Sequence, residues 1–293
     1  MTKIFKNAAG ENEVLSSYDK LLTTWNVPVE ERDIEGKYGV THVITAGDRD
    51  RPPLLLFHGV GDNSALMWSF NAAALAGQFR LIAVDTLGAP GKSRPGPGYG
   101  TGFSIADWQG ELLDSLALKR VYAAGVSYGC YMAQSLIVHF PERVARAVGM
   151  SGAVFGQGAQ AASTRRMVPM MLNALLHPFR GRQRLLRLLI GPRYEEILKD
   201  PEYLRHWELL RKHYRTMAQR FHKRVEFSNE EAALFRGRML FLIGREDALF
   251  YGQALESYAR YGVTYKVIED AGHSLNAQFP ALVDGEIIGF LLD

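Results

Sequence analysis

The chain has 293 residues, 47% of them hydrophobic and 22% charged, with a formal net charge of +3. That composition is ordinary for a soluble globular protein that can bury a large core. No run approaches the ~20 apolar residues of a transmembrane helix. One cysteine, Cys130, excludes an intramolecular disulfide framework; with no signal-peptide core in the first ten residues, a cytoplasmic location is the expectation.

Apolar residues at helical spacing, Val14, Leu15, Tyr18, Leu21 and Leu22, predict a helix over 11–25. Strands are expected at 29–33 and 38–45, across the turn-like Glu35-Gly36-Lys37, and a buried strand at 54–57. A helix over 65–77, a strand at 80–84 and a Gly/Pro-rich loop over 88–102 follow. Then come a helix at 105–117, a strand at 121–124, a helix at 130–140 and a buried strand at 144–150. After this the alternation stops. Residues 151–237 carry only helical segments, at 165–176, 182–190, 194–199 and 203 to about 224. It resumes with a strand at 239–243, a helix at 253–261, a strand at 263–268 and a final helix at 281–292.

Strands alternating with helices build parallel crossover units covered on both faces. The expected fold class is therefore α/β: a mostly parallel eight-stranded sheet with helices on both faces. Residues 1–150 and 238–293 form the core domain in this reading. Residues 151–237 form a helical cap inserted over the crevice where open α/β sheets bind ligands. The cap region is basic, with 17 Lys and Arg against 8 Asp and Glu between Val154 and Arg238. No nucleic-acid motif accompanies it, so it reads as a solvated face, with an anionic partner or membrane surface as the alternative. Clustered apolar residues over 167–190, among them Met170, Leu175, Leu185 and Leu189, read as a cap helix packed on the core. The alternative is a lid offering an apolar face to acyl chains, or making weak contact with a membrane surface.

The chemistry concentrates in Gly125-Val126-Ser127-Tyr128-Gly129, set between a strand and a helix. Gly-x-Ser-x-Gly in that setting marks a nucleophile elbow, with Gly125 and Gly129 needed for close packing around the turn. A serine hydroxyl needs a base, and the base an orienting acid. Asp247, in Gly244-Arg245-Glu246-Asp247, and His273, in Asp270-Ala271-Gly272-His273, each follow a predicted strand, as Ser127 does. In a parallel sheet the three share one edge. Glu246 and Asp270 compete for the acid's role; motif position favours Asp247, and Asp270 lies too close to His273 in sequence. His58-Gly59-Val60-Gly61 follows the strand at 54–57, where Gly59 and Gly61 let backbone N–H groups approach a substrate oxygen. The N–H groups of Val60 and Tyr128 are the expected oxyanion donors, with His58 supporting the loop and Asp85 shaping its own. Cys130 reads as a buried helix residue. His139, His206, His213 and His222 lack metal-ligand spacing, so no metal is expected and surface or packing roles are the reading. Gly91-Lys92-Ser93 imitates a P-loop, but Thr86 stands where a glycine is required, and Arg94-Pro95-Gly96-Pro97 cannot open a helix.

Taken in order, His58-Gly-Val-Gly, Asp85-Thr-Leu-Gly, Gly125-Val-Ser-Tyr-Gly, Phe140-Pro-Glu-Arg-Val, Gly244-Arg-Glu-Asp and Gly272-His resemble a serine α/β-hydrolase of the carboxylesterase type with a helical cap. The resemblance covers nearly all of the chain outside the cap and the N-terminal segment. It implies a cofactor-free hydrolase of small-molecule esters, with Ser127, Asp247 and His273 as triad. Carbon–carbon, lactone, thioester or perhydrolase chemistry on the same triad is the alternative, as is a ligand-binding receptor without turnover. A dehalogenase or epoxide hydrolase is disfavoured, since those place Asp where Ser127 stands. One departure bears on pocket shape: the family's Asp-x-x-Gly-x-Gly-x-Ser loop has one extra residue here, from Asp85 to Ser93.

Overall fold

The computed structural model describes residues 2–161, 190–192, 194–197 and 199–293. Among them the strands are β1 (Val29–Gly36), β2 (Gly39–Ala46), β3 (Pro53–Phe57), β4 (Arg80–Val84), β5 (Arg94–Pro95), β6 (Val121–Val126), β7 (Val144–Met150), β8 (Met239–Gly244) and β9 (Thr264–Ile268). They form one sheet in the order β1-β2-β4-β3-β6-β7-β8-β9, with β5 paired to β2 off that path. β2 runs antiparallel to β1, β4 and β5, and every pairing from β4 to β9 is parallel. Eight of these are the expected strands; the two-residue β5 lies inside the loop expected over 88–102.

The α-helices among the described residues are α1 (Ala8–Leu22), α2 (Ser64–Met67), α3 (Ala72–Ala76), α4 (Ile105–Ser115), α5 (Tyr128–His139), α6 (Tyr194–Ile197), α7 (Pro201–His213), α8 (Asn229–Ala233), α9 (Tyr251–Tyr261), α10 (Leu275–Gln278) and α11 (Pro280–Leu292). Alternation along β3 shows how they cover the sheet. Leu55 and Phe57 join the core beneath α4, α5 and α9, while Leu54 and Leu56 join the core beneath α1, α3 and α11. A strand buried on both faces reads as an unbroken apolar run, and Leu54–Phe57 is one.

Two expected helices differ. The segment 65–77 is split into α2 and α3. Asn63 caps α2 through its side chain on the Leu66 N–H. Asn71, at the break, donates its amide to Asn276 O and Asp284 Oδ1, so tertiary hydrogen bonds override local propensity. The helix expected from 203 to about 224 ends at His213, where Tyr214 turns extended. There the N-terminal segment pairs with it: Phe5 bridges Tyr214, Lys6 N–H donates to His213 O, and Arg215 N–H donates to Ile4 O, both at 2.9 Å. α1 also packs along α7, so the start of the chain is tied to the segment between β7 and β8. The helices expected at 165–176 and 182–190 fall outside the described residues, except Ile190, as does the apolar cluster over 167–189.

Candidate active site

β6 ends at Val126, and α5 begins at Tyr128. Ser127 between them has φ 56° and ψ −110°, a backbone that costs a non-glycine residue about 1–3 kcal/mol and persists only where its surroundings enforce it. The enforcement is visible at both glycines. A Cβ on Gly125 would lie 2.1 Å from Gly129 O, and one on Gly129 would lie 2.2 Å from Phe57 O. Only glycine lets α5 pack this close to β3 and β6.

Asp247 and His273 meet at the ends of β8 and β9. His273 Nδ1 lies 2.9 Å from Asp247 Oδ2. The other oxygen, Oδ1, accepts N–H groups from Leu249 at 2.9 Å and Phe250 at 3.1 Å. Asp247 is buried, so its two oxygens are committed to the imidazole and to its own loop. Glu246 and Asp270 are exposed; of the nearby acids it is Asp247 that touches His273. The Phe250 ring stacks on the imidazole at 5.6 Å. Ser151, which follows β7 with φ 50°, donates its hydroxyl to His273 O at 2.5 Å. This support carried no motif and was missed from sequence.

His58 is wholly buried. Its Nδ1 donates to Gly59 O at 2.7 Å and its Nε2 accepts the Thr86 N–H at 3.0 Å. That arrangement requires a neutral ring, and burial lowers its pKa. Asp85, also buried, accepts Ser64 N–H, Lys92 N–H and the Tyr18 hydroxyl. Lys92, the P-loop decoy, pairs with Asp19 and Glu31. Tyr128 is the first helical residue, so its N–H lacks an intrahelical acceptor. Gly61 N–H is taken by Gln219 Oε1 at 3.1 Å, and no backbone acceptor takes the Val60 N–H among the described residues. Cys130 is buried, and burial pushes its thiol up to about 12, leaving it an unreactive thiol.

Ser127, His273, Val60 and Tyr128 all line one cavity of about 810 Å³. Tyr203, Trp207 and Leu210 of α7 also line it, and the segment from Tyr214 to Arg224 adds polar groups, of which sequence reasoning named only His222, and not for this site.

The family model for the alpha/beta hydrolase fold matches residues 52–280. The chain belongs to the α/β hydrolase fold family. Among its relatives, carboxylesterase YbfK of Bacillus subtilis is 28% identical over 285 residues, covering 94% of this chain and 92% of that protein. An uncharacterized carboxylesterase, nap, of the same organism is 27% identical over 291 residues, covering 94% and 90%. The crystal structure of YbfK (CesB) superposes with a TM-score of 0.76 at 26% identity, covering 97% of this chain and 99% of that one. The structure of Bacillus subtilis naproxen esterase gives 0.77 at 24% identity. The likeness to these carboxylesterases extends over nearly the whole chain.

Proposed function

We propose that the chain hydrolyses carboxylic esters through an acyl-enzyme on Ser127, with His273 as general base and Asp247 as its orienting acid. The observation that carries this reading is the His273–Asp247 contact at 2.9 Å on the wall of the cavity that Ser127 also lines. Because Nδ1 faces the carboxylate, Nε2 is left to take the serine proton. Asp247 fixes that tautomer and stabilises the imidazolium that forms. As Ser127 Oγ attacks the ester carbon, the carbonyl oxygen gains charge, and the N–H groups of Val60 and Tyr128 are the donors assigned to it. Each such donor is commonly worth ~3 kcal/mol. The imidazolium then protonates the departing alcohol, and water, deprotonated by His273, releases the acid. Residues 1–150 and 238–293 supply this machinery in our reading, and 151–237 act as the cap that shapes the substrate space.

The relatives named above as carboxylesterases support ester hydrolysis. The test is a series of 4-nitrophenyl esters of increasing acyl length, assayed with the wild-type protein and with Ser127→Ala. Turnover in the first and its loss in a folded variant are expected; equal rates in both would overturn the assignment of Ser127. No described helix is long and apolar enough to cross a membrane.

A further inference from the structure

The mechanism leaves Arg224 without a task. This residue precedes α8, lines the same cavity as Ser127, and holds its guanidinium 4.7 Å over the ring of Phe155. It sits close enough to Tyr128 and Tyr131 for their phenols to respond to its charge. Among the described residues nothing neutralises it: no carboxylate pairs with it and no acceptor takes its N–H groups.

The neighbouring groups are spoken for. Glu226 accepts the N–H groups of Gly158 and Gln160. The Tyr131 hydroxyl accepts Val225 N–H at 2.9 Å. The Tyr128 hydroxyl donates to His222 Nδ1 at 2.8 Å, and His222 Nε2 donates to Leu87 O at 2.6 Å. That chain requires a neutral His222, whose pKa burial lowers to about 4. Arg224 therefore presents a fork of five donors, permanently charged, against an aromatic wall.

A cation drawn partly out of water without a counter-ion is unfavourable, and burial opposes its charge. The rest of the lining does not cancel it. Arg211 lies over Trp207, and Arg220 lies over Phe221 while donating to Met217 O. The one carboxyl on the described wall is Asp62, pushed up to about 7 by burial, so that much of it is uncharged at neutral pH. The lining thus favours an anion, and a planar fork with one uncompensated charge matches one carboxylate.

We propose that Arg224 anchors a carboxylate on the substrate, so that the site takes esters carrying a free carboxylate, such as hemi-esters of dicarboxylic acids. This rests on the ester-hydrolase reading above.

The experiment compares kcat/KM for 4-nitrophenyl hemi-esters of pentanedioic, hexanedioic and octanedioic acids with that for the corresponding methyl-capped diesters. A second arm compares 4-acetoxybenzoate with 4-acetoxybenzamide, placing the carboxylate on the leaving alcohol. At least one arm should favour the anion, and Arg224→Met should cut that preference about ten- to hundredfold, the range of a hydrogen-bonded charged contact. Arg224→Lys should keep part of it, and added salt should weaken it. The arm that responds tells which side of the ester the carboxylate occupies; a preference that Arg224→Met moves in neither arm overturns the proposal.

Should Arg224→Met fail to fold, the wild-type protein still decides. Hexanedioate should inhibit hydrolysis of 4-nitrophenyl butyrate better than hexanediamide, and equal inhibition overturns the anchor. Calorimetric binding of hexanedioate to Ser127→Ala separates the two claims. Binding lost on adding Arg224→Met supports the anchor even if Ser127 proves not to be acylated. Acylation of Ser127 by neutral esters with no response to Arg224 would leave the hydrolase reading standing and the anchor refuted.

Discussion

Gln219→Ala should slow ester hydrolysis without unfolding the protein. Gln219 is buried and hydrogen-bonded to the loop after β3, the oxyanion loop of the proposed mechanism. Its Oε1 accepts Gly61 N–H at 3.1 Å and the Tyr214 hydroxyl at 2.9 Å, while its Nε2 donates to Thr86 Oγ1 at 3.2 Å. One amide thus holds the loop that carries the Val60 N–H to the loop after β4. Each net hydrogen bond is worth about 1 kcal/mol. Water from the adjoining cavity can replace part of what the truncation removes, so about 2 kcal/mol of loop positioning is lost, or about thirtyfold in rate. The loop matters most when charge develops on the carbonyl oxygen, so the loss should fall on kcat with little change in KM. Steady-state kinetics with 4-nitrophenyl butyrate, alongside a thermal melt confirming the fold, measure this. A folded Gln219→Ala with kcat within about twofold of wild type would refute the positioning argument.

Asp247→Asn keeps the shape of the acid but reverses the tautomer preference of His273, and kcat should fall about 10⁴-fold with the fold intact; a fall below tenfold would remove Asp247 from the mechanism. Gly125→Ala sets a Cβ 2.1 Å from Gly129 O, so it should yield insoluble protein or lower the melting temperature by about 10 °C or more; a melting temperature near wild type would contradict the packing account of the elbow. Burial raises the Asp284 carboxyl to about 7, against the smaller opposing effect of its hydrogen bond from Asn71. The folded chain therefore keeps a proton that the unfolded chain releases near pH 4. Stability present at acid pH is lost as pH rises from about 4 to 7, and Asp284→Asn, which cannot ionise, should gain on wild type across that window in urea melts. A pH-independent difference would contradict it.

The legible parts of the sequence were those where local pattern and tertiary role coincide. The run Leu54–Phe57 is apolar because it is buried on both faces, and Gly125 and Gly129 are glycines because a Cβ at either meets backbone. The residues placed at the site from sequence lie at strand ends, where chain order and parallel topology dictate proximity. What stayed hidden depends on contacts between distant segments. The helix expected to continue past His213 stops because residues 4–6 pair with residues 213–215, and nothing in either segment announces the other. Ser151, Gln219 and Arg224 are single polar residues with no spacing to mark them. Arg224 counted only toward the basic balance of its region, and its place on the cavity wall emerges once Phe155 and Tyr131 are brought beside it.

The most direct test of the central claim is the mass of the protein after reaction with an alkyl fluorophosphonate, followed by peptide mapping. One phosphonyl group on Ser127 is expected, with labelling abolished in folded Ser127→Ala and strongly slowed in His273→Ala. Ester turnover by a protein that takes no label at Ser127, or takes it on another residue, would contradict the account.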